Sequence, residues 1–496
     1  MMSLPFLNRK ISLSIVCLFC LLFLNSWHRP EAKEKPLNIL FLLADDWSYP
    51  YGGLYGKQEV PTPNLDKLAK QGVLFNNAYC STPSCTASRA SMLTGMYPHN
   101  LGEGVNLCGR LDISIPTYVQ ILRKQGYEVG FDKKGWAPGD FKKMGYTENP
   151  VGTKTDFSQM LKNLPEDKPF FFWFGTNDPH RPFVKGSGKK AGFDINKIDV
   201  PPFLPNVAEV REDLADYYSE IMHFDQEIGE LLAQLKASGR LENTIIVVAS
   251  DNGMPFPHAK ANLYDQGTRV PLLVASFGGQ IPQGKIHSSY VNLMDLTPTF
   301  LDWAAVPKQA QPKMDGKTLL PVLAHPEKTH RSEVYLERER HCLARADFEY
   351  GAGYPIRALR TGDYLYIRNL RPDRNPAGDE SIPNTPSVYG DVDGGYTKNF
   401  MMDHREEPNV KPLFALGFGK RPAEELYNTK TDPYNLHNLA TSPALASIKQ
   451  QLSKRMDAIM MQTKDPRRNG GGDEIDRYRT TSRAWVTRDG LVLLDE

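Results

Sequence analysis

Cysteine is scarce in this chain, with six residues in 496. Cys17 and Cys20 lie near the N-terminus, which leaves Cys80, Cys85, Cys108 and Cys342 for the body. Four thiols cannot staple a chain of this length, so a disulfide scaffold is excluded and ordinary burial is the expected role of most of them. Long apolar runs are missing as well. The longest, residues 11–24, is too short to span a bilayer comfortably. It follows Arg9 and Lys10, and small residues stand at Ser26 and Ala32. That order predicts a secretory signal over residues 1–32. It implies export to a periplasmic, secreted or lysosome-like compartment, with no stable membrane span after cleavage. Neither Cys17 nor Cys20 follows the small residue of a lipoprotein cleavage site. An excess of one charge is absent too. Lys and Arg number 59 against 58 Asp and Glu, a net +1. No global field attracts nucleic acid, and an anionic ligand must be held by local cations. The chain shows no internal repeat, which argues against a solenoid.

What is present is a core with a regular rhythm. Hydrophobic residues make up 40% of the chain, ample for a large core. Short apolar runs at residues 38–44, 169–175, 244–249 and 270–276 read as strands. They are near-continuous in Val, Ile, Leu and Phe, which predicts burial on both faces. Residues 62–71 read as a helix ahead of a strand at 73–78. Residues 213–238 read as a long amphipathic helix with Ile221, Phe224, Ile228, Leu232 and Leu235 on one side, stopped by Gly239. Strands alternating with helices predict the α/β class, a doubly wound α/β/α sandwich over residues 36–334. The texture then changes. Residues 364–370 read as a strand, 371–396 as a long loop rich in Pro, Gly, Asp and Asn, and 446–462 as a last helix. A smaller C-terminal α+β subdomain is expected over residues 335–465, and a loosely held tail over 466–496.

Polar residues gather just past the strands: Asp45-Asp46, Thr176 to His180, and Ser250 to Gly253. In open α/β sheets ligands collect beyond the carboxyl ends of strands. Two adjacent carboxylates repel each other unless a cation or hydrogen-bond donors offset them, although a strand-end turn could hold either acidic pair alone. Asp45 and Asp46 with Asp251 and Asn252 make three carboxylates and an amide. Such an oxygen-only set suits Ca²⁺ or Mg²⁺ rather than Zn²⁺. A further signal is Cys85-Thr86-Ala87-Ser88-Arg89, where a helix is expected to begin, its dipole favouring negative charge near Cys85. Arg89, one turn along, faces the same helix end.

That segment, continued by Met92-Leu93-Thr94-Gly95, resembles the signature of the type I, formylglycine-dependent sulfatases: Cys, a spacer, Pro or Ala, a spacer, Arg, then Thr-Gly. The resemblance extends over roughly Leu37 to Ala440 and implies an alkaline-phosphatase-like fold. It implies that a maturation enzyme oxidises Cys85 to formylglycine. One hydroxyl of the hydrated aldehyde then attacks sulfur and the other later expels sulfate, with Arg89 steadying the alkoxide. Asp45, Asp46, Asp251 and Asn252 would hold the metal together with residue 85. Lys134 and Lys260 would clamp the sulfuryl oxygens, and His180 would serve as general acid at the scissile atom. With Cys85 reserved, at most one disulfide remains among the other three cysteines.

Two departures stand out. Lys133 occupies a usual glycine beside Lys134, and Trp136 stands where many sulfatases carry histidine, beside the nucleophile. Trp136 and His258 are further candidates for substrate contact, whereas His99 and His223 read as structural. Three segments are similar to heparan N-sulfatase-like (sulfamidase-like) sulfatases: Asn177 to Pro182, Ser250 to Pro257, and Tyr354-Pro355-Ile356-Arg357. This implies a sulfated glycan substrate, N-sulfoglucosamine at a chain end of a heparan-like polysaccharide. Arg357, Arg360 and the run Glu337-Arg338-Glu339-Arg340-His341 are the candidates to hold the sugar. The alternatives are an O-sulfatase on another polysaccharide, a phosphodiesterase or phosphonate hydrolase of the same superfamily, and a non-catalytic glycan binder.

Overall fold

β1 (Asn38–Ala44) is a seven-residue apolar run in which every residue is buried. Such a strand needs cover on both faces. In the computed structural model, which describes residues 1–2, 35–346 and 351–494, it lies inside a nine-stranded sheet. Its companions are β2 (Gly72–Tyr79), β3 (Glu128–Lys133), β4 (Thr153–Lys154), β5 (Phe170–Gly175), β6 (Thr244–Ser250), β7 (Arg269–Ser276), β8 (Lys285–His287) and β9 (Val291–Asn292). The order is β4-β3-β5-β1-β6-β7-β2-β8, and β9 also pairs with β2. β1 runs parallel to β5 and β6, with Leu42 opposite Phe174 and Val248. β7 is antiparallel to both β6 and β2. Its reversed direction brings the chain before Arg269 to the same edge as the ends of β1, β5 and β6. An apolar run does not encode its direction, so the sequence left this open.

Alternation along the strands sorts their side chains into two cores. Leu40, Leu42, Phe172, Phe174, Ile246 and Val248 cluster with residues of the helices Pro63–Ala69, Phe157–Asn163 and Ala208–Ala237. Ile39, Phe41, Leu43, Phe171, Trp173, Ile245 and Val247 cluster with residues of Cys85–Thr94, Tyr118–Lys124 and Leu296–Trp303. This is the expected α/β/α sandwich. The long helix starts at Ala208 rather than 213, because Val210 and Leu214 extend its buried stripe by one more turn.

A second, antiparallel sheet joins β10 (Glu333–Arg338), β11 (Ile356–Thr361), β12 (Tyr364–Asn369) and β13 (Glu424–Asn428) in that order. One face, with Tyr335, Leu359, Tyr366 and Leu426, takes Met456, Ile459 and Met460 of the helix Ala446–Gln462. The other face, with Val334, Leu336, Ile356, Ala358, Leu365 and Ile367, meets Tyr79, Leu263 and Tyr264. This docking braces the end of β2 and the segment that carries Lys260.

The expected loose tail is instead packed. β14 (Arg483–Val486) and β15 (Leu491–Leu494) form a hairpin. Ala484 and Val486 cluster with Cys85, Cys108 and Cys342. The tail amide of Thr481 donates to Cys108 O at 2.8 Å, and Leu343 N donates to Ala484 O at 2.9 Å. The tail's polar texture hid this, because its partners lie far away in sequence. All four described cysteines are free and buried. Among the described residues no helix is long and apolar enough to cross a membrane. The secretory-signal residues Arg9, Lys10 and 11–24, with Ser26 and Ala32, lie outside the described residues.

Candidate active site

Cys85 opens the helix Cys85–Thr94. Ser84 precedes it in extended conformation (φ −154), and Gly95 closes it at φ 70, where glycine has no steric cost. All ten helical residues are buried. Two hydroxyls are satisfied by neighbours: Thr86 Oγ1 donates to Pro138 O at 2.7 Å and Ser88 Oγ to Asp251 O at 2.6 Å. The second bond ties the helix start to the end of β6. Cys85 Sγ lies 3.4 Å from Asp45 Oδ1. Arg89 donates through Nε to Asp251 Oδ2 at 2.8 Å and through Nη1 to Gly135 O at 2.7 Å. Its Nη2 is buried with no hydrogen-bond partner, 3.9 Å from Asp45 Oδ1. Asp46 takes φ 74, a left-handed conformation that aspartate tolerates better than most residues. The turn places its amide 3.3 Å from Asp251 Oδ1.

One ligand atom each from Asp45, Asp46, Cys85 and Asp251 lies within 4.8 Å of all the others. The three carboxylates are fully buried, and their ionisation shows the strain. Burial pushes Asp46 up, Lys260 pulls it back, and Asp45 pushes it up again, to about 7. Burial and then Asp45 raise Asp251 to about 6 against the pull of Arg89. Burial works against Asp45 too, but Lys134, His180, Arg89 and Lys260 outweigh it and hold this carboxyl well below the usual range. The protein's own cations therefore stabilise one of the three carboxylates and leave the other two short of positive charge. Asn252 completes the group: Nδ2 donates to Asp46 Oδ1 at 2.5 Å, while Oδ1 is buried without a hydrogen-bond partner. Its two amide ends are nearly the same size, so the flipped side chain presents oxygen to the cluster. An oxygen-rich, anionic, buried set of this kind fits a hard divalent cation.

Cations line the same site. Lys134 Nζ bonds Asp45, whereas Lys133 Nζ bonds Glu227 on the other side. The ambiguity between adjacent lysines is thereby resolved: Lys134 points inward. Burial opposes the charge on Lys134, but Asp45 more than offsets it and raises its pKa. Lys260 bridges Asp46 Oδ2 at 2.8 Å and Asp393 Oδ2 at 3.0 Å. His180 Nε2 lies 3.8 Å from Asp46 Oδ2, and Nδ1 bonds the Arg181 carbonyl. Burial, then Lys260, brings His180 down to about 4.

Other sequence candidates stand elsewhere. Arg357 was expected to face Cys85 but is sealed among Asp465 (2.6 Å), Glu339 (2.7 Å) and Glu337 (3.6 Å). Arg360 pairs with Asp265 at 3.2 Å and donates to Tyr290 Oη at 2.9 Å. A buried guanidinium goes where carboxylates can compensate it, and here these belong to the scaffold. His258 stacks on Tyr264 at 4.2 Å and bonds the Tyr434 carbonyl at 3.0 Å. Trp136 is buried in the apolar cluster, its Nε1 without a hydrogen-bond partner. Of the charged run, Glu337 bonds His99, Arg338 bonds Asp391, Glu339 bonds Arg467, and Arg340 donates to the carbonyls of Asp476 and Tyr478. Only His341 reaches the site, its Nδ1 2.9 Å from Ser84 Oγ. Burial and Lys260 lower it to about 4. Asp393 was missed altogether. It sits in the stretch read as a loop, and no spacing links it to Lys260.

The family model described as Sulfatase matches residues 37–306. Human N-sulphoglucosamine sulphohydrolase is 29% identical over 486 residues, covering 88% of this chain and 92% of its own. An ulvan-active sulfatase of Formosa agariphila is 30% identical over 443 residues, covering 86% of this chain and 80% of its own. Among solved structures, BT4656 in complex with its substrate D-glucosamine-2-N,6-O-disulfate aligns with a TM-score of 0.62 at 19% identity, covering 88% of this chain and 99% of that one. At that identity the likeness speaks for the fold, an alkaline-phosphatase-like mixed α/β architecture.

Proposed function

Since the chain belongs to the sulfatase family, whose members are sulfuric ester hydrolases, we propose that it removes sulfate from a sulfated amino sugar, N-sulfoglucosamine at a glycan chain end. The observation that carries this reading is the convergence of Cys85, three carboxylates, Arg89, Lys134, Lys260 and His180 at one edge of the sheet. The choice of an N-sulfated sugar rests on the sulfamidase-like segments and on the name of the human relative.

In this reading Cys85 is oxidised by a maturation enzyme after export is signalled, and the hydrated aldehyde supplies the attacking hydroxyl. Asp45, Asp46, Asp251 and Asn252 would hold Ca²⁺ or Mg²⁺, which would supply positive charge beside residue 85. Lys134 and Lys260 take the sulfuryl oxygens in fixed positions, so little reorganisation is needed as charge shifts in the transition state. The free Nη2 of Arg89 steadies the oxygen on residue 85. His180, with Nδ1 pinned to a carbonyl, keeps Nε2 turned toward the site, where it exchanges a proton with the leaving group. Residues 36–334 carry this chemistry, and residues 335–465 brace one side of it.

Sulfate release is the test. Matured enzyme should free sulfate from N-sulfoglucosamine, lose turnover on chelation, and regain it with Ca²⁺ or Mg²⁺. Release from O-sulfated sugars alone discards the N-sulfated substrate and leaves the family assignment standing.

A further inference from the structure

The carboxylates Asp45 and Asp46 are sealed at 0% side-chain exposure, whereas Lys134, His180, Lys260 and Asp393 keep 12%, 17%, 4% and 8%. An entering substrate meets these four. Three of them suit a sulfate group. Asp393 does not, because an ionised carboxylate repels it. Asp393 also stands apart from the grouped ligand atoms of Asp45, Asp46, Cys85 and Asp251. It shares Lys260 with Asp46, at 3.0 Å against 2.8 Å, and its Oδ2 is buried with no hydrogen-bond partner beyond that ion pair.

The backbone around Asp393 is held firmly on both sides. Asp391 pairs with Arg345 at 2.9 Å and accepts from Cys342 N at 2.9 Å. Lys398 Nζ donates to the carbonyls of Val388 and Val392 at 2.6 and 2.7 Å. The C-terminal hairpin clamps the other side, where Gly395 N donates to Arg488 O at 3.1 Å. A Cβ on Gly394 would meet Gly490 N at 2.5 Å, so the two strands of chain touch backbone to backbone. Fixing a lone carboxylate this rigidly inside a site for anions needs a reason beyond pairing with Lys260.

We propose that Asp393 selects a nitrogen leaving group, stabilising the ammonium that forms when a sulfamate is cleaved; this rests on the sulfatase reading of the site. The balance separates the two substrate classes. R–NH–SO₃⁻ with H₂O gives R–NH₃⁺ and SO₄²⁻: the S–N bond breaks, an S–O bond forms, and nitrogen ends with both protons of the water. R–O–SO₃⁻ with H₂O gives R–OH and HSO₄⁻, and the leaving oxygen acquires no positive charge. A carboxylate beside the leaving atom therefore favours the first reaction specifically. Burial works against ionisation of Asp393, but the charge of Lys260 outweighs it and keeps the carboxyl well below the usual range.

The test compares kcat/KM for N-sulfoglucosamine and 4-nitrophenyl sulfate in matured wild-type and Asp393→Asn enzyme. A charge-assisted bond of this kind predicts a loss of about 10- to 100-fold on the sulfamate beyond any loss on the aryl sulfate. An equal fall on both substrates reduces Asp393 to positioning Lys260 and overturns the proposal. A wild-type enzyme that cleaves the aryl sulfate but not the sulfamate also overturns it, leaving the sulfatase reading intact. One inert to both overturns both. A second readout uses only the wild-type protein: glucosamine should inhibit aryl sulfate turnover about tenfold more strongly than N-acetylglucosamine, which carries no ammonium. Equal inhibition contradicts the role of Asp393.

Discussion

Lys133 and Lys134 are adjacent, share a charge, and should differ sharply when replaced. Lys134 is 12% exposed and bonded to Asp45, which touches Cys85. Lys133 is 35% exposed and bonded to Glu227, with its ammonium 5.2 Å from the Phe174 ring. Lys134→Ala removes a preorganised positive charge from the position proposed to hold a sulfuryl oxygen. Loss of one such donor costs about a hundred- to a thousandfold in kcat, or ~3–4 kcal/mol of barrier. It also leaves Asp45 with less compensation, since Lys134 is the strongest cation holding that carboxylate ionised. Lys133→Ala breaks a partly buried pair with Glu227 and touches nothing in the site. The assay is steady-state aryl sulfate turnover by both matured variants, with thermal melting to confirm that each is folded. A larger loss in Lys133→Ala, or equal losses, would refute the assignment of Lys134 to the site.

Three further outcomes follow. Arg357→Ala should destabilise the fold by about 3–5 kcal/mol, because it strands Asp465 and Glu339 in the interior; aryl sulfate turnover per folded molecule should be unchanged, and a KM effect specific to sugar substrates would restore Arg357 to substrate binding. Chelation should lower the melting temperature as well as activity, since Asp46 and Asp251 then face each other without a cation; an unchanged melting curve would contradict the cation cage. His99 gives a pH signature. Burial lowers its pKa, but Glu337 and Asp465 more than reverse this and raise it above 6.5. A raised folded-state pKa gives stability that is fully present below the unfolded value and is lost as pH rises through the folded value. His99→Gln should remove that decline from denaturant melts taken across pH, and an identical decline in the variant would show that His99 is not its source.

Much of the clustering at the candidate site could be read from the sequence because its polar residues follow apolar strands directly. Asp45-Asp46 after β1, His180 after β5 and Asp251-Asn252 after β6 reach one edge simply because those strands are parallel. Cys85 and Arg89 share a helix face at a spacing of four. What failed depended on pairing across long stretches of chain. Arg357 looked like a ligand-binding arginine until Asp465, 108 residues away, took it. Asp393 and His341 reach the site from the loop and from the residues after β10, and no local pattern announces either. The tail looked loose because, beyond its own hairpin, the bonds that hold it run to Cys108 and Leu343, far away in sequence.

The central claim is that chemistry passes through an oxidised residue 85. The most direct measurement is the mass of the peptide carrying Cys85, taken from active enzyme produced with a maturation enzyme. The account predicts loss of sulfur and gain of an aldehyde oxygen or its hydrate at that residue, with no turnover in Cys85→Ala. An active enzyme whose Cys85 is still an unmodified thiol, or an active Cys85→Ala variant, would contradict it.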